Sequence, residues 1–294
     1  MKPPPFDYFA PATLEEAVAL LEKHGDDAKV LAGGQSLVPL LNFRLVRPKC
    51  LVDINHIAGL DYIKESDGKL RIGALTRHRA VETSPLVRQK NGLLFEAVQL
   101  IGHPAIRTRG TVGGSIAHAD PTAELCAVMV ALDGEIQAAG PGGRRRSIGW
   151  KDFFVTYFTT TLEPGEICAE VILPMLSPKA GWAFEEFAHR HGDFAIVGAA
   201  AVIEADAKNR CTQARLAISG AAPMPVRATT AEKFLQGQEL TAKTLEEAGR
   251  HAAEQVEPDS DLHASAEYRQ HLAAVMTTRA LKRAVERLKA GERR

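Results

Sequence analysis

Two short glycine-rich segments constrain this chain more than any other feature of its sequence. The first is Ala32–Ser36 (Ala-Gly-Gly-Gln-Ser) and the second is Thr111–Ser115 (Thr-Val-Gly-Gly-Ser). Paired glycines permit positive φ angles and let successive N–H groups converge on one point, which creates a concave anion site. We therefore expect two loops, 80 residues apart, that clamp a diphosphate from two sides with hydroxyl donors from Ser36, Thr111 and Ser115.

Tight turns without any ligand are the alternative interpretation of the same residues, and the segments alone do not decide between the two. The sequence contains neither G-x-G-x-x-G nor G-x-x-x-x-G-K-[ST]. A dinucleotide bound here would therefore not use a Rossmann or P-loop cradle.

Charge and cysteine content exclude several other classes of protein. Lys plus Arg equals Asp plus Glu at 36 each, so there is no basic excess of the kind that nucleic-acid binders show. The four cysteines are too far apart to ligate an iron–sulfur cluster, and we expect them to be reduced in a cytoplasmic protein; they are Cys50, Cys126, Cys168 and Cys211. No apolar run is long enough to span a membrane, and the residues suggest no metal site and no catalytic acid or base.

The first two thirds of the chain predict two small α/β units. Thr13 and Glu16 form a capping box for a helix that ends near Gly25,. Short strands are expected at 30–31, 51–54, 70–75, 135–139 and 167–173, and helices through Leu94–Ile101 and over 121–132. The segment 110–117 is expected to be a loop, Arg144–Arg146 a solvated hairpin turn, and 174–179 a linker.

The last third predicts an α+β domain in which strands precede helices. Three antiparallel strands are expected at 181–188, 194–205 and 214–220, followed by helices at 229–236, from Thr244 onwards, and over 265–289. The last helix carries apolar residues on two sides, which indicates a second contact either within the chain or with a partner.

The same segments, with others along nearly the whole chain, resemble a known family. The stretches that carry this resemblance are AGGQS, LVDINHIAGL, IRTRGTVGGSIAHADPTAE, EICAEVILP, HRHGDFAIVGAA and SAEYRQHLAAVMTTRAL. They resemble the medium, FAD-binding subunit of carbon monoxide dehydrogenase and the flavin domain of xanthine dehydrogenase, which are molybdenum hydroxylases.

This resemblance implies an α+β fold with a two-subdomain FAD-binding domain of the vanillyl-alcohol-oxidase (PCMH) type. That domain is expected over residues 1–176, with subdomains of about 1–55 and 56–176. A C-terminal domain with a three-stranded antiparallel sheet and helices is expected over 177–294.

The resemblance also implies a set of cofactor-binding residues. The glycine segments would hold the FAD diphosphate and ribityl chain, Ile101 and Phe194 would lie against the flavin, and His118, Asp120 and Glu124 would recognise the ribose and adenine. The full expected set is Lys29, Ala32, Gly33, Gly34, Gln35, Ser36, Leu37, Ile101, Thr111, Val112, Gly113, Gly114, Ser115, His118, Asp120, Glu124, Ile167 and Phe194.

Structural roles remain open for several of these residues. Asp120 before Pro121 is also a natural helix N-cap, Glu124 suits a first helical turn, and His118 and Ile101 suit a core. The chain departs from the family pattern at Cys126, where relatives commonly carry proline, and at Glu185 and Glu186, where relatives often carry a lysine.

The function implied by the resemblance is electron transfer within a complex. A large subunit with a molybdenum–pterin cofactor would hydroxylate the substrate, a small subunit with two [2Fe–2S] clusters would carry electrons, and FAD on this chain would pass them to an external acceptor. A dimer of heterotrimers is the expected assembly. The alternatives are a free-standing FAD-dependent oxidase or dehydrogenase, using His189, Arg190 and His191, and an assembly module without flavin.

Overall fold

The computed structural model describes residues 2–291, and its strands form three sheets and one small hairpin. The first sheet is parallel, with the order β1-β3-β2. Its strands are β1 (Asp7–Phe9), β2 (Ala28–Leu31) and β3 (Cys50–Asp53), accompanied by α1 (Leu14–His24) and α2 (Leu37–Asn42). The capping box at Thr13 and the end of α1 at Gly25 are confirmed, whereas β1 and α2 were not predicted.

The second sheet is a five-stranded antiparallel sheet with the order β4-β5-β10-β6-β7. Its strands are β4 (Ile63–Ser66), β5 (Lys69–Gly73), β6 (Glu135–Ala139), β7 (Arg145–Gly149) and β10 (Ile167–Pro174). Between β7 and β10 lies a hairpin of β8 (Phe154–Thr156) and β9 (Thr159–Thr160). The helices of this part are α3 (His78–Thr83), α4 (Pro85–Lys90), α5 (Gly92–Leu100), α6 (Pro104–Arg107), α7 (Val112–His118), α8 (Glu124–Ala131) and α9 (Trp150–Phe153).

The third sheet is antiparallel and belongs to the last third of the chain. It has four strands rather than the expected three, because a two-residue strand adds to its edge. The strands are β11 (Gly181–Phe187), β12 (Val197–Ala205), β13 (Cys211–Ser219) and β14 (Val226–Arg227), and the helices are α10 (Thr229–Leu235), α11 (Ala242–Ala253) and α12 (Ala266–Gly291).

The third sheet packs on both of its faces, which joins the two halves of the molecule. One face, with Ala183, Ala201 and Ile203, forms a core with α11 and α12. The other face, with Phe184 and Ala200, joins the core that contains α5 and α8. Burial on both faces explains why β12 is a continuous apolar run rather than an alternating one.

Arg287 on α12 ties the third sheet and α5 together. Its guanidinium lies 3.9 Å from the centre of the Trp182 ring and donates to the Trp182 carbonyl at 2.7 Å and to Glu96 at 2.6 Å. The two apolar sides of α12 are both buried within the chain, at Leu272, Met276, Leu281, Val285 and Leu288. The second contact expected for α12 is thus made within the chain.

Several expected boundaries were wrong for local reasons. The helix expected from Pro121 begins at Glu124, and Asp120 is not its N-cap because its Oδ1 accepts from the Thr122 N–H at 2.9 Å in a turn. The helix expected from Thr244 begins at Ala242 with Thr241 as its cap.

The basic run at Arg144–Arg146 also differs from the solvated turn that was expected. Arg145 already begins β7, and Arg146 donates to the buried carboxylate of Glu166 at 2.6 Å. Within residues 2–291, no helix has the length and apolar content required to cross a bilayer.

Candidate functional site

The first glycine segment forms an open turn between β2 and α2. Among residues 2–291, no acceptor receives a hydrogen bond from the backbone N–H groups of residues 33–37. The next N–H, that of Val38, donates to the Gly34 carbonyl at 2.9 Å and so begins the helical pattern. Gly34 has a φ of +71°, a conformation that a side chain disfavours,. A run of unpaired N–H groups before a helix is an anion-binding concavity.

The second glycine segment is not the expected loop, because Val112–Ser115 form the first turn of α7. Thr111 caps this helix by accepting from the Gly114 N–H at 3.2 Å. The N–H groups of Val112 and Gly113 donate to the carbonyls of Thr76 and Ala74 at 3.0 and 2.9 Å. These N–H groups are therefore already used within the protein, and the two segments are not equivalent as anion donors.

The two segments nevertheless lie against each other, as the diphosphate clamp requires. A Cβ placed on Gly33 would lie 2.4 Å from the carbonyl oxygen of Arg109 and 2.8 Å from the Cα of Gly110. A Cβ on Gly114 would lie 3.9 Å from the Cβ of Ala32. The close approach at Gly33 requires glycine because no side chain fits between the two backbones.

Two polar side chains that were not predicted from the sequence hold this arrangement together. Asn55 donates from its amide to the Ala32 carbonyl at 2.8 Å. Arg77 donates to the Arg109 carbonyl at 2.6 Å and to the Asn55 side-chain oxygen at 2.7 Å. Asn55 lies within the LVDINHIAGL stretch of the family resemblance, and this was the only indication in the sequence that it belongs to the site. Arg77 lies two positions after the third expected strand, before His78 and Arg79, and nothing in the sequence connects it with Arg109.

His78 supports the second segment from behind. Its Nε2 lies 3.0 Å from the Thr111 carbonyl, so this nitrogen must carry the proton and donate,. Its Nδ1 is buried and has no hydrogen-bond partner among residues 2–291. Burial lowers the His78 pKa from 6.5 to about 4, and the ring is neutral at physiological pH.

The residues expected at the ribose and adenine end lie between α7 and α8. The His118 ring packs against Phe158 with the ring centres 5.1 Å apart, and burial lowers its pKa. Glu124 is buried at the start of α8, where burial and then the Glu186 carboxylate raise its pKa to about 8. The Cys126 thiol on the same helix lies 3.8 Å from the Ser115 carbonyl, which places this helix directly behind the second segment.

Ile101 and Phe194 belong to two neighbouring loops. The His103 ring lies 6.2 Å from that of His191, and a Cβ on Gly192 would lie 2.5 Å from His103. Ile101 is half-buried against the main core, whereas Phe194 is 73% exposed. An aromatic ring left on the surface beside a loop contact is available to cover a flat ligand.

Three other expected residues occupy less distinctive places. Lys29 is an exposed residue of β2, three positions before the first segment. Leu37 is half-buried at the first position of α2. Ile167 is buried in the core around α1 and β3, so that only its backbone is free to contact a ligand.

Comparison with known proteins identifies the family. The family model described as "FAD binding domain in molybdopterin dehydrogenase" matches residues 4–176. The model described as "CO dehydrogenase flavoprotein C-terminal domain" matches residues 182–284. The first match alone covers more than half of the chain and contains both glycine segments.

Relatives match along nearly their full length. The chain is 44% identical to the 6-hydroxypseudooxynicotine dehydrogenase complex subunit alpha of Paenarthrobacter nicotinovorans, over 98% of this chain and 97% of the relative. A solved structure of carbon monoxide dehydrogenase from Hydrogenophaga pseudoflava is similar, with a TM-score of 0.95, 38% identity, and 98% and 99% of the two chains covered. Quinoline 2-oxidoreductase from Pseudomonas putida 86 has a TM-score of 0.92 and 39% identity, with 98% and 100% covered.

The resemblance inferred from the sequence is thereby confirmed at the level of both domains and of the three-dimensional fold. This chain belongs to the family of FAD-binding subunits of the molybdenum hydroxylases.

Proposed function

We propose that this chain binds one FAD at the paired glycine segments and passes electrons from the [2Fe–2S] clusters of a small partner subunit to an external acceptor. A large partner subunit with a molybdenum–pterin cofactor would feed those clusters. A bound flavin supplies the two-electron chemistry that this route needs. The protein contributes binding and orientation, and we assign no catalytic acid or base to it.

The unpaired N–H run of residues 33–37 is the observation that carries this proposal. Gly33, at the start of that run, lies against the backbone of Arg109 and Gly110, directly before the second segment. An FAD diphosphate offers oxygens that accept hydrogen bonds from such a run of N–H groups. The Ser36 and Ser115 hydroxyls are free to add donors, since neither makes a side-chain hydrogen bond within residues 2–291. The residues present therefore fit the cofactor.

The roles of the two segments differ in this proposal. The first supplies the N–H donors, and the second supplies a helix start and the Ser115 hydroxyl. Ile101 and Phe194 would cover the isoalloxazine ring, and His118, Asp120 and Glu124 would lie toward the adenosine half. The remaining residues of the expected set would line the same site.

A ligand series tests the cradle directly. The chain without flavin is titrated with FAD, with FMN and with riboflavin, and flavin fluorescence measures binding. We expect FAD to bind most tightly, FMN less tightly and riboflavin least, because each step removes phosphate oxygens from the N–H run. Riboflavin binding as tightly as FAD would contradict a phosphate-based site.

The finer features of the proposal follow the family pattern. They are the vanillyl-alcohol-oxidase (PCMH) type of FAD-binding domain, a dimer of heterotrimers, and a cytoplasmic location in keeping with four free, buried cysteines. Relatives are named for substrates as different as 6-hydroxypseudooxynicotine, carbon monoxide and quinoline. We therefore assign the choice of substrate to the large subunit.

The free-standing oxidase is separated from this proposal by one measurement. Substrate-dependent bleaching of the flavin on the isolated chain would support the oxidase. Bleaching that requires the partner subunits supports the electron-transfer subunit.

A further inference from the structure

The two residues proposed to cover the flavin, Ile101 and Phe194, lie on loops from different domains. The 101–103 loop follows α5 in the FAD-binding domain and begins with Ile101. The 188–195 loop joins β11 to β12 in the C-terminal domain and contains Phe194. The way in which each loop is held therefore decides where its covering residue lies.

The two loops touch through the imidazole of His103. A Cβ on Gly192 would lie 2.5 Å from Cε1 and 2.7 Å from Nδ1 of His103, so the imidazole lies directly on the backbone of the 188–195 loop. Gly192 has a φ of +88°, a conformation that a side chain disfavours,. Because Gly192 is two positions before Phe194, a shift of the imidazole displaces the backbone next to Phe194.

One buried arginine fixes the 101–103 loop. Arg107, the last residue of α6, is only 6% exposed, and its Nη1 donates to the carbonyls of Ile101 and Gly102, each at 3.0 Å. Ile101 directly follows α5, where carbonyls lack partners within the helix,. The guanidinium supplies the missing donors, and it does so at the turn where Gly102 has a φ of +48°.

The guanidinium is itself held by Glu82 on α3. Nε and Nη2 of Arg107 donate to the two carboxylate oxygens of Glu82, both at 3.1 Å, which is a two-pronged geometry,. Arg79, also on α3, donates to the same carboxylate at 2.9 Å. Burial alone would raise the pKa of Glu82, but the hydrogen bonds from Arg107 and Arg79 hold it below its usual value, so the carboxylate is ionised.

We propose that Arg107 and Glu82 are positioning residues that set both halves of the flavin cover. They fix the 101–103 loop, which carries Ile101 itself and holds the neighbouring loop, with Phe194, through its histidine. The pair acts through the geometry of these loops and needs no contact with the flavin. The inference rests on the proposed function, because it requires the isoalloxazine ring to lie against the two loops.

A purely structural role is the alternative, because the same hydrogen bonds also stabilise the end of α5. Arg107 lies four positions before the second glycine segment, so its loss could disturb that segment as well. The two roles differ in the half of FAD that they affect. The flavin cover meets only the isoalloxazine half, whereas damage to the glycine segments weakens binding of the diphosphate and adenosine. ADP contains the diphosphate and adenosine without the flavin, and it therefore separates the two roles.

The first test compares the affinities of the full chain without flavin for FAD and for ADP, by titration calorimetry. Arg107→Met removes the donors to the loop, while Glu82 keeps Arg79 as a partner. We expect the affinity for FAD to fall by about tenfold, because the hydrogen bonds to both carbonyls are lost. The affinity for ADP should stay within about twofold of the wild type. Equal falls for both ligands, or an unchanged affinity for FAD, would overturn the inference.

His103→Ala tests the contact between the loops and leaves the buried ion pair intact. His103 is exposed and makes no side-chain hydrogen bond to cap α6, so we expect this variant to fold even if Arg107→Met does not. The affinity for FAD should fall by about threefold, since packing contacts are lost but no hydrogen bond is. The affinity for ADP should not change. An unchanged affinity for FAD would overturn the link between the two loops.

The visible circular dichroism of the bound flavin gives a readout that does not depend on affinity. It is recorded at saturating FAD, where it reports the arrangement of groups around the isoalloxazine ring. We expect the flavin bands of Arg107→Met and of His103→Ala to differ from those of the wild type. Bands identical to the wild type in both variants would overturn the positioning role.

Arg79→Met is the matched control, because Arg79 binds the same carboxylate and, within residues 2–291, makes no hydrogen bond to the 101–103 loop. It should leave both affinities within about twofold of the wild type and the flavin bands unchanged. A wild-type chain that binds neither FAD nor ADP would refute the proposed function. A chain that binds both, and loses both equally in Arg107→Met, would refute this inference alone.

Discussion

The contact between Gly33 and the backbone of Arg109 and Gly110, directly before the second glycine segment, gives the most demanding test of the proposed cofactor site. In Gly33→Ala the new Cβ would lie 2.4 Å from the Arg109 carbonyl oxygen, whereas ordinary contacts begin near 3.4 Å. The segments must therefore separate by about 1 Å. The carbonyl resists this movement because the Arg77 guanidinium holds it at 2.6 Å. Overpacking of this kind costs roughly 1–3 kcal/mol.

The affinity for FAD should fall by about tenfold or more, because the same separation spreads the N–H run and 1.4 kcal/mol corresponds to a factor of ten. Gly149→Ala is the matched control, since a Cβ there meets nothing within 4 Å and its φ of −72° suits alanine. Fluorescence titration gives the affinity, and urea unfolding gives the stability. A Gly33→Ala chain that binds FAD as tightly as the Gly149→Ala chain would refute the reasoning.

Three further predictions follow from the same structure. Arg77→Met should lower FAD affinity by about tenfold, because its hydrogen bonds to Arg109 and Asn55 are lost,. Fluorescence titration measures the affinity, and Arg79→Met, which changes an exposed neighbouring residue, should have little effect on it. His78→Gln should flatten the pH dependence of the free energy of unfolding measured in urea. His78 is neutral in the fold with a pKa of about 4, so the wild type loses stability as the pH falls below 6.5, roughly 3 kcal/mol by pH 4,. Parallel pH profiles for the wild type and His78→Gln would contradict this prediction. Arg287→Ala should lower the free energy of unfolding in urea by roughly 1–2 kcal/mol, because the contacts to Trp182 and Glu96 are lost,. An equal loss in Arg279→Ala, on the same helix, would show that those contacts are not the cause.

The order of the main elements could be predicted because their signals are local. The Thr13–Glu16 capping box fixed the start of α1, and the long apolar periodicity predicted α12 within two residues at each end. Short elements were missed where no periodicity had room to develop. The three-residue β1 is an example, because its place is set by pairing with β3, which lies more than 40 residues away in sequence.

The second glycine segment shows why a residue pattern alone can mislead about local structure. Paired glycines predict a loop, yet Thr111 caps a helix whose first N–H groups find acceptors at Ala74 and Thr76. Those acceptors come from another part of the chain, so the sequence around Gly113 contains no information about them. The error matters for function, because it leaves the first segment as the main source of free donors.

The residues that complete the candidate site depend on tertiary contacts in the same way. Arg77 was not predicted because its guanidinium acts on Arg109, which is 32 positions away. Glu186 and Ser219 lie on one face of the third sheet because of the register of β11, β12 and β13, which the sequence does not specify. The departure from the family pattern at Glu186 could be read from the sequence, but the partial burial of this residue could not.

Reduction of the flavin in the complex, compared with the isolated chain, distinguishes an electron-transfer subunit from a free-standing oxidase. The chain is purified alone and with its large and small partner subunits, and the FAD content and flavin absorbance are followed as the substrate of the complex is added. We expect one FAD per chain in both preparations, with bleaching by substrate only when the partners are present. A chain that contains and takes up no FAD, or a flavin that substrate bleaches in the isolated chain, would contradict it.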